Sequence, residues 1–410
     1  MFSPLYNKTE LNNGLRIISE HVPHVRSIAL GVWATVGSRD ETEQNNGISH
    51  FLEHMLFKGT KRRNTRQIAE SLELMGGSLD AFTTKELTCY NAHILDEHLE
   101  EALDVLSDIM LNSLFDSSEM EKEKDVILKE ISSTKDTPDD IIFENFYQTV
   151  YDTHPLGYEI YGTEHNIKSF LQQQLFEFMR DKYAANRIII SAAGRLDHKE
   201  LVSLVQRYFS NLPSVSQRKL VEIPNLKNRT MRNYAACSQA HVCFGMRGYS
   251  YSDPRKFPLL ILHNLIGGGM SSVLFQKIRE DLGLVYSIYS FYDFFIDDGL
   301  MGVYFSADEA NIDMIMDIIR AELGKLKREA FDPDLLTNMK NQFKGQLMLG
   351  LESTISRMNR LARNEIYLNT YFTLDDIIER IDRVTIDHVM QVADELFNDE
   401  NYFTTIISPK

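Results

Sequence analysis

The hydrophobic and polar residues of the N-terminal half follow strand and helix patterns in turn. Apolar side chains occupy every second position from Ser27 to Gly37, which is the period of a strand with one buried face. A helical pattern then runs from Thr65 to Met75 and stops at two glycines. The pattern also predicts strands at 78–84, 88–95 and 187–193 and helices at 96–113, 118–150 and 168–183. This mixture predicts an α+β fold.

The second half of the chain repeats this plan. Its strand at 241–248 places Gly245 214 residues after Gly31, and a C-terminal strand at 401–407 matches 186–190 at an offset of 215. We therefore expect two homologous domains, each a mostly antiparallel sheet packed with helices. A length of 410 residues also favours two domains over one. The expected division is a first domain at 1–216, a polar, basic linker at 217–233 and a second domain at 234–410.

The segment GISHFLEHMLF (47–57) interrupts an apolar helical pattern with His50, Glu53 and His54. Residues three and four apart share one face of a helix, so the two imidazoles and the carboxylate point the same way. The positions 214 residues later hold asparagine and glycines, so the fold does not require the polar trio. Two histidines one turn apart can occupy adjacent positions around a tetrahedral zinc ion. The pattern H-x-x-E-H is the inverzincin signature.

A hydrolytic zinc site needs a third protein ligand and an open fourth position, and the acidic segment 116–130 offers candidates. Ser118 and Glu121 match a capping box, which gives Glu121 a structural role. Glu123 and Glu130 lie seven residues apart, nearly two turns, on one stripe that includes apolar residues. A carboxylate there is costly to bury unless it is paired or bound to metal. We predict Glu130 as the ligand and Glu123 as an auxiliary acid, with a solvent-exposed helix charge as the alternative for Glu123.

Composition narrows the class of protein. The 43% hydrophobic and 25% charged residues are ordinary for a globular protein, and no apolar run approaches the roughly 18 residues of a membrane span. The first residues match neither a signal peptide nor a transit peptide, and three cysteines suit a reducing compartment, so we expect a bacterial cytoplasmic protein without a membrane partner. The formal charge of −16 argues against nucleic acid and either attracts basic peptides or only keeps the protein in solution.

Several blocks in consistent order resemble the pitrilysin-type zinc peptidases, in particular the short two-domain members similar to the β subunit of the mitochondrial processing peptidase. The blocks include GSRDE, GISHFLEHMLFKGT, GGSLDAFTTKELTCY, EKEKDVILKEI and GGGMSSVLFQKIREDLGLVY. The resemblance implies one zinc ion per chain, bound by His50, His54 and Glu130. It also implies Glu53 as the general base and Glu123 as an assisting acid.

The resemblance further implies that Arg279 and Tyr286 reach the substrate backbone from the second domain. It implies that the strand at 78–84 holds the peptide through Asp80, Ala81 and Phe82. At Asp80 many relatives carry asparagine, so this chain departs from the family pattern there. Relatives of this length work as dimers, so we expect a homodimer.

The sequence thus predicts a zinc-dependent endopeptidase that cleaves unstructured peptides, with Glu53 accepting a proton from the attacking water. One alternative is a narrow-specificity peptidase that processes presequences or propeptides. Another is a catalytically silent scaffold subunit, against which the complete H-x-x-E-H trio argues.

Overall fold

The computed structural model describes residues 6–212, 215–328 and 332–410. The strands, in chain order, are β1 (Tyr6–Glu10), β2 (Arg16–His21), β3 (Ser27–Ala34), β4 (Ser78–Thr83), β5 (Thr88–Leu95), β6 (Ile188–Gly194), β7 (Arg229–Ala235), β8 (Ala240–Arg247), β9 (Val285–Phe294), β10 (Gly299–Ala307) and β11 (Phe403–Pro409). The helices are α1 (Ile48–Leu56), α2 (Thr65–Glu73), α3 (Leu99–Asn112), α4 (Ser117–Lys135), α5 (Pro138–Tyr151), α6 (Glu164–Ser169), α7 (Gln172–Lys182), α8 (His198–Tyr208), α9 (Lys256–Gly267), α10 (Ile312–Arg328), α11 (Pro333–Gly350), α12 (Thr354–Leu368), α13 (Leu374–Asp382) and α14 (Ile386–Leu396). A π-helical segment, Phe275–Asp281, lies between α9 and β9 in the chain.

The chain forms two compact units that exchange segments. The first unit contains the described chain up to Ile131, Tyr158–Val221 and Gly350–Tyr371, and the second contains Ser132–Gly157, Glu222–Leu349 and Phe372–Lys410. Two segments therefore lie outside the expected division at 216 and 234. Helix α5 comes from the first half but belongs to the second unit, and α12 comes from the second half but belongs to the first. The expected linker at 217–233 includes the start of β7.

Among the described strands of the first unit, six form one sheet in the order β1-β2-β6-β3-β5-β4. The pair β2 and β6 is parallel, and the other neighbouring strands are antiparallel. Strand β4 lies at one edge of this sheet and pairs with β5 alone among the described strands. Its outer backbone groups are therefore available to another strand.

Both faces of this sheet are covered. On one face Leu30 packs in the same cluster as Phe51 of α1, together with residues of α3 and α8. On the other face Trp33 packs with Met358 and Leu361 of α12. The sequence predicted one buried face for β3, but seven of its eight residues are buried because α12 covers the second face.

The second unit follows the same architecture. Its described strands form a sheet in the order β7-β11-β8-β10-β9, in which β7 and β11 are parallel and the others antiparallel. Helices α9, α10 and α14 pack on one face, and α5 packs on the other through Ile142 and Phe146. The predicted α+β fold, with a mostly antiparallel sheet in each unit, is confirmed.

The repeated glycines have a packing reason. A Cβ atom on Gly31 would lie 2.9 Å from the Met358 sulfur of α12, and one on Gly245 would lie 3.0 Å from a ring carbon of Phe146 on α5. At Gly31 this distance is shorter than side chains tolerate, so the glycine allows α12 to lie close to the sheet. At Gly245 the Phe146 ring would have to move slightly, and the Met301 carbonyl oxygen of β10 would be nearer still, at 2.4 Å. Helices α12 and α5 thus occupy equivalent places in the two units.

Two local predictions were wrong. The predicted helix at 118–150 is two helices, because Pro138 lacks the N–H that a continuous helix requires and instead begins α5. The predicted capping box of Ser118 and Glu121 does not form. Instead Asp116 Oδ1 accepts hydrogen bonds from the backbone N–H groups of Ser118 (2.8 Å) and Glu119 (3.3 Å), and so caps α4. Throughout the described ranges, none of the helices has the length and apolar content to span a membrane.

Candidate metal centre

Helix α1 carries the polar trio because its two faces differ. Five apolar residues, Ile48, Phe51, Leu52, Met55 and Leu56, are buried in the core of the first unit. Their spacing of three and four residues fixes the rotation of the helix about its axis. His50, Glu53 and His54 consequently lie on the opposite side, partly or fully removed from solvent.

The structure brings His50, His54 and Glu130 together. One donor atom from each lies within 4.8 Å of the others. Glu130 Oε2 is 3.9 Å from His50 Nε2 and 3.6 Å from His54 Nε2. Two ligands that each lie about 2 Å from a tetrahedral ion are about 3.3 Å apart, so these separations need to shorten only slightly around zinc. Helix α4 supplies the carboxylate and α1 supplies both imidazoles.

The residues fit a metal ion because the carboxylate oxygen that faces both imidazoles would otherwise be left without a partner. Within the described ranges, Glu130 Oε2 is buried and has no hydrogen-bond partner, although it lies within 4 Å of Nε2 of both histidines. Burial, helped by nearby His54, lowers the pKa of His50 to about 3, which keeps its imidazole in the neutral form that binds metals. Two nitrogen donors and one carboxylate oxygen are a common zinc donor set.

Glu123 orients one of the histidines. It is 5% exposed, its Oε2 accepts a hydrogen bond from His54 Nδ1 at 3.1 Å, and its Oε1 pairs with Lys58 Nζ at 2.7 Å. Burial alone would raise the pKa of Glu123, but the bonds from His54 and Lys58 outweigh it and lower the pKa. The alternative of a solvent-exposed helix charge is therefore wrong. With Nδ1 bound to Glu123, the His54 ring directs Nε2 towards Glu130.

Glu53 lies beside the edge strand. The Thr83 hydroxyl on β4 donates a hydrogen bond to Glu53 Oε2. Burial raises the pKa of Glu53 against the opposing effects of Thr83 and His54, which moves the carboxylate towards the range useful for proton transfer. One hydrogen bond thus joins the predicted base to the predicted substrate strand.

The three predicted substrate-strand residues differ in exposure. Asp80 is exposed, and its Oδ1 accepts a hydrogen bond from the neighbouring Ala81 N–H at 2.8 Å. The half-buried Phe82 packs edge-on against Trp33, with ring centres 5.5 Å apart, so its side chain anchors β4 to the sheet.

Arg279 and Tyr286 lie in the second unit, next to each other. The Arg279 guanidinium lies 5.5 Å from the centre of the Tyr286 ring and 4.7 Å from that of Phe275. Tyr286 is 74% exposed near the start of β9, an edge strand. The other predicted site residues all belong to the first unit.

Three further residues of the site were not predicted from the sequence. Lys58 follows His54 by four residues, a spacing that places it on the same helix face as far as the helix continues. Thr83 lies inside the predicted substrate strand, but no pattern in the sequence indicates that its hydroxyl bonds to Glu53. Tyr161, whose ring lies 5.0 Å from that of His50 and perpendicular to it, gave no signal in the sequence.

Comparisons with known proteins show the family of the chain. The family described as "Insulinase (Peptidase family M16)" matches residues 16–164, and "Peptidase M16 inactive domain" matches residues 169–343. The chain is 42% identical to an uncharacterized zinc protease of Bacillus subtilis over 97% of both chains. It is 36% identical to an uncharacterized zinc protease of Mycobacterium leprae, over 98% of this chain and 91% of that protein.

Solved structures share the fold. A protease from Helicobacter pylori matches with a TM-score of 0.92 at 22% identity, over 99% of this chain and all of that one. A structure from Pseudomonas fluorescens described as a peptidase M16 inactive domain also matches with a TM-score of 0.92, at 17% identity, over 99% and 98% of the two chains. From the sequence relatives and both family matches, the chain belongs to the M16, or insulinase, family of peptidases.

Proposed function

We propose that this protein is a zinc-dependent endopeptidase that cleaves unstructured peptides. The observation that carries the proposal is the convergence of two imidazole nitrogens with the unpartnered carboxylate oxygen of Glu130, on the helix face that also presents Glu53. The names of the bacterial relatives as zinc proteases support it.

His50, His54 and Glu130 would hold one zinc ion per chain. A zinc ion in such a site polarises a carbonyl group and lowers the pKa of water towards neutrality. Glu53 would accept the proton of the attacking water and pass it to the leaving amine. Thr83 would hold the Glu53 carboxylate, and Glu123 with Lys58 would hold His54.

The free edge of β4 supports peptides as the substrate class. A peptide in extended conformation can add to this edge through main-chain hydrogen bonds, which gives affinity with little dependence on sequence. Asp80, Ala81 and Phe82 would contribute mainly through their backbone. We also propose, on the family resemblance, that Arg279 positions the substrate and that the Tyr286 hydroxyl donates to the developing oxyanion.

The test combines metal analysis with digestion of a peptide library. Purified protein is expected to contain about one zinc per chain and to cleave many library peptides. His54→Ala should lose both zinc and cleavage, and Glu53→Gln should keep zinc but lose cleavage. His24→Ala, a change at an exposed histidine, is the matched control and should behave as wild type.

Other results of this test would favour one of the two alternatives or refute the site. Cleavage restricted to a few presequence-like or propeptide-like members would favour the processing alternative. One zinc per chain without any cleavage would favour the scaffold alternative, and zinc binding that survives loss of both histidines would refute the site. The homodimer remains a prediction, which sedimentation velocity of the same preparation would check.

A further inference from the structure

The N-terminus of helix α1 is capped from outside the helix. Its N-cap residue, Gly47, has a φ of +97° and no side chain that could accept a hydrogen bond. The first N–H groups of any helix lack partners within the helix. Here the Glu41 carboxylate accepts from Gly47 N (2.8 Å) with Oε2 and from Ser49 N (2.8 Å) with Oε1. Its Oε2 also accepts from Asn46 Nδ2 at 2.9 Å.

Glu41 is an unusual capping residue because it is buried without a cation. It is 4% exposed, and the described part of the chain provides it with no Lys or Arg ion-pair partner. Burial raises the pKa of Glu41 to about 7, against the lowering effect of its hydrogen bonds. A buried carboxylate is costly, and its hydrogen bonds together with the positive end of the α1 dipole offset that cost here.

The surroundings of the cap leave little freedom. A Cβ on Gly47 would lie 2.7 Å from the Gly162 Cα, so the two backbones touch. Asn46 Nδ2 also donates to the Glu159 carbonyl at 2.9 Å, which ties the loop to the segment that carries Tyr161. The loop before α1 is therefore held against residues 159–162 on one side and by Glu41 on the other.

The capped N–H groups lie directly next to a predicted ligand. Ser49, which donates to Glu41, precedes His50 in the first turn of α1, and His54 follows one turn later. A small rotation of the first turn would move His50 Nε2 relative to Glu130 Oε2, which lies 3.9 Å away. The apolar face of the helix fixes its rotation, and the cap adds the hydrogen bonds that hold the N–H groups of its first turn.

We propose that Glu41 is a positioning residue of the metal centre, which fixes the first turn of α1 so that His50 meets zinc together with His54 and Glu130. This inference rests on the proposed function, since it assumes that the three residues bind zinc. The Glu41 carboxylate lies outside the H-x-x-E-H motif and is not one of the proposed ligands, yet the geometry of the site would depend on it.

The test measures zinc affinity of the metal-free protein by competition with a chromophoric chelator, for wild type, Glu41→Gln and Glu43→Gln. Glutamine keeps the size of the side chain but turns an NH₂ group towards N–H donors. We expect zinc to bind roughly 10–100-fold more weakly to Glu41→Gln, the usual effect of changing a residue that supports a ligand. Glu43→Gln, at an exposed acid two residues away, should remain within about twofold of wild type, since its side chain makes no hydrogen bond or ion pair with the described residues of the site.

A second measurement separates geometry from general destabilisation. With Co²⁺ in place of zinc, the visible absorption bands report ligand geometry, and Glu41→Gln should shift them while circular dichroism remains that of the folded protein. If Glu41→Gln does not fold, Glu41→Asp keeps the charge on a shorter side chain and is expected to fold with weakened zinc binding and shifted bands. Wild-type affinity and an unchanged Co²⁺ spectrum in the folded variant would overturn the proposal. Wild-type protein that binds no zinc would instead refute the proposed function.

Discussion

The two acids of helix α4 should respond differently to the same substitution. Glu130→Gln replaces a charged ligand by a neutral amide, and we expect it to abolish stoichiometric zinc and activity. Glu123→Gln keeps an oxygen that can accept from His54 Nδ1 but removes the charge that pairs with Lys58. We therefore expect zinc to remain bound, with an affinity lower by roughly 10–100-fold, or about 1.4–2.7 kcal/mol.

The assay is zinc content after dialysis against a defined free-zinc concentration, followed by chelator competition and peptide cleavage at saturating zinc. Glu121→Gln is the matched control, because this acid lies on the same helix, is exposed, and pairs only with Lys124 among its described ion pairs. It should leave zinc and activity unchanged. Equal zinc loss in Glu123→Gln and Glu130→Gln would refute the distinction between ligand and support, and loss in Glu123→Gln alone would reverse the two roles.

Three further outcomes are expected. Thr83→Val removes the hydroxyl that donates to Glu53, so kcat should fall by about 10–100-fold with zinc content unchanged, and an unaltered kcat would contradict the positioning of the base. Tyr286→Phe should lower kcat by roughly 10²–10³ without loss of zinc or stability, whereas an effect on KM alone would limit Tyr286 to substrate binding. Burial lowers the pKa of His263 to about 4, below its value in the unfolded chain. The contribution of the neutral imidazole to folding stability is therefore complete above about pH 6.5 and is lost as the pH falls towards 4. The resulting loss in unfolding free energy is at most about 3 kcal/mol. Urea titrations across this pH range should show a smaller loss for His263→Asn than for wild type. The same loss in both proteins would contradict this role of His263.

The three residues proposed as ligands, which the structure brings together, could be selected from short spacings in the sequence. His50 and His54 are one turn apart, and Glu130 lies on a costly stripe of α4 with Glu123. Both patterns are local, so helical periodicity alone aligns the side chains within each helix. The choice of Glu130 as the third ligand came from the cost of burying a carboxylate on that stripe, and the family resemblance gave the same residue.

The features that were not predicted correctly depend on contacts between distant segments or on competing local hydrogen bonds. Trp33 is buried by α12, more than 300 residues later, and nothing in the alternation of β3 indicates a second cover. Asp116 caps α4 because the helix begins at Ser117, earlier than the capping box of Ser118 and Glu121 requires, and the Asp116 carboxylate reaches the N–H groups of Ser118 and Glu119. The burial of Glu41 follows from the fold of its loop against residues 159–162, a contact between segments that are more than 100 residues apart.

The exchange of α5 and α12 has a consequence for synthesis of the protein on the ribosome. The first sheet is complete once β6 has been made, yet the helix that covers its Trp33 face ends only at Leu368. At about 5–20 residues per second, the missing 174 residues between β6 and the end of α12 take roughly 10–35 s to translate, during which that apolar face has no cover from its own unit. A nascent chain stalled before residue 354 should therefore bind hydrophobic-surface holdases, and a chain released at residue 216 should aggregate rather than yield an independent zinc-binding domain.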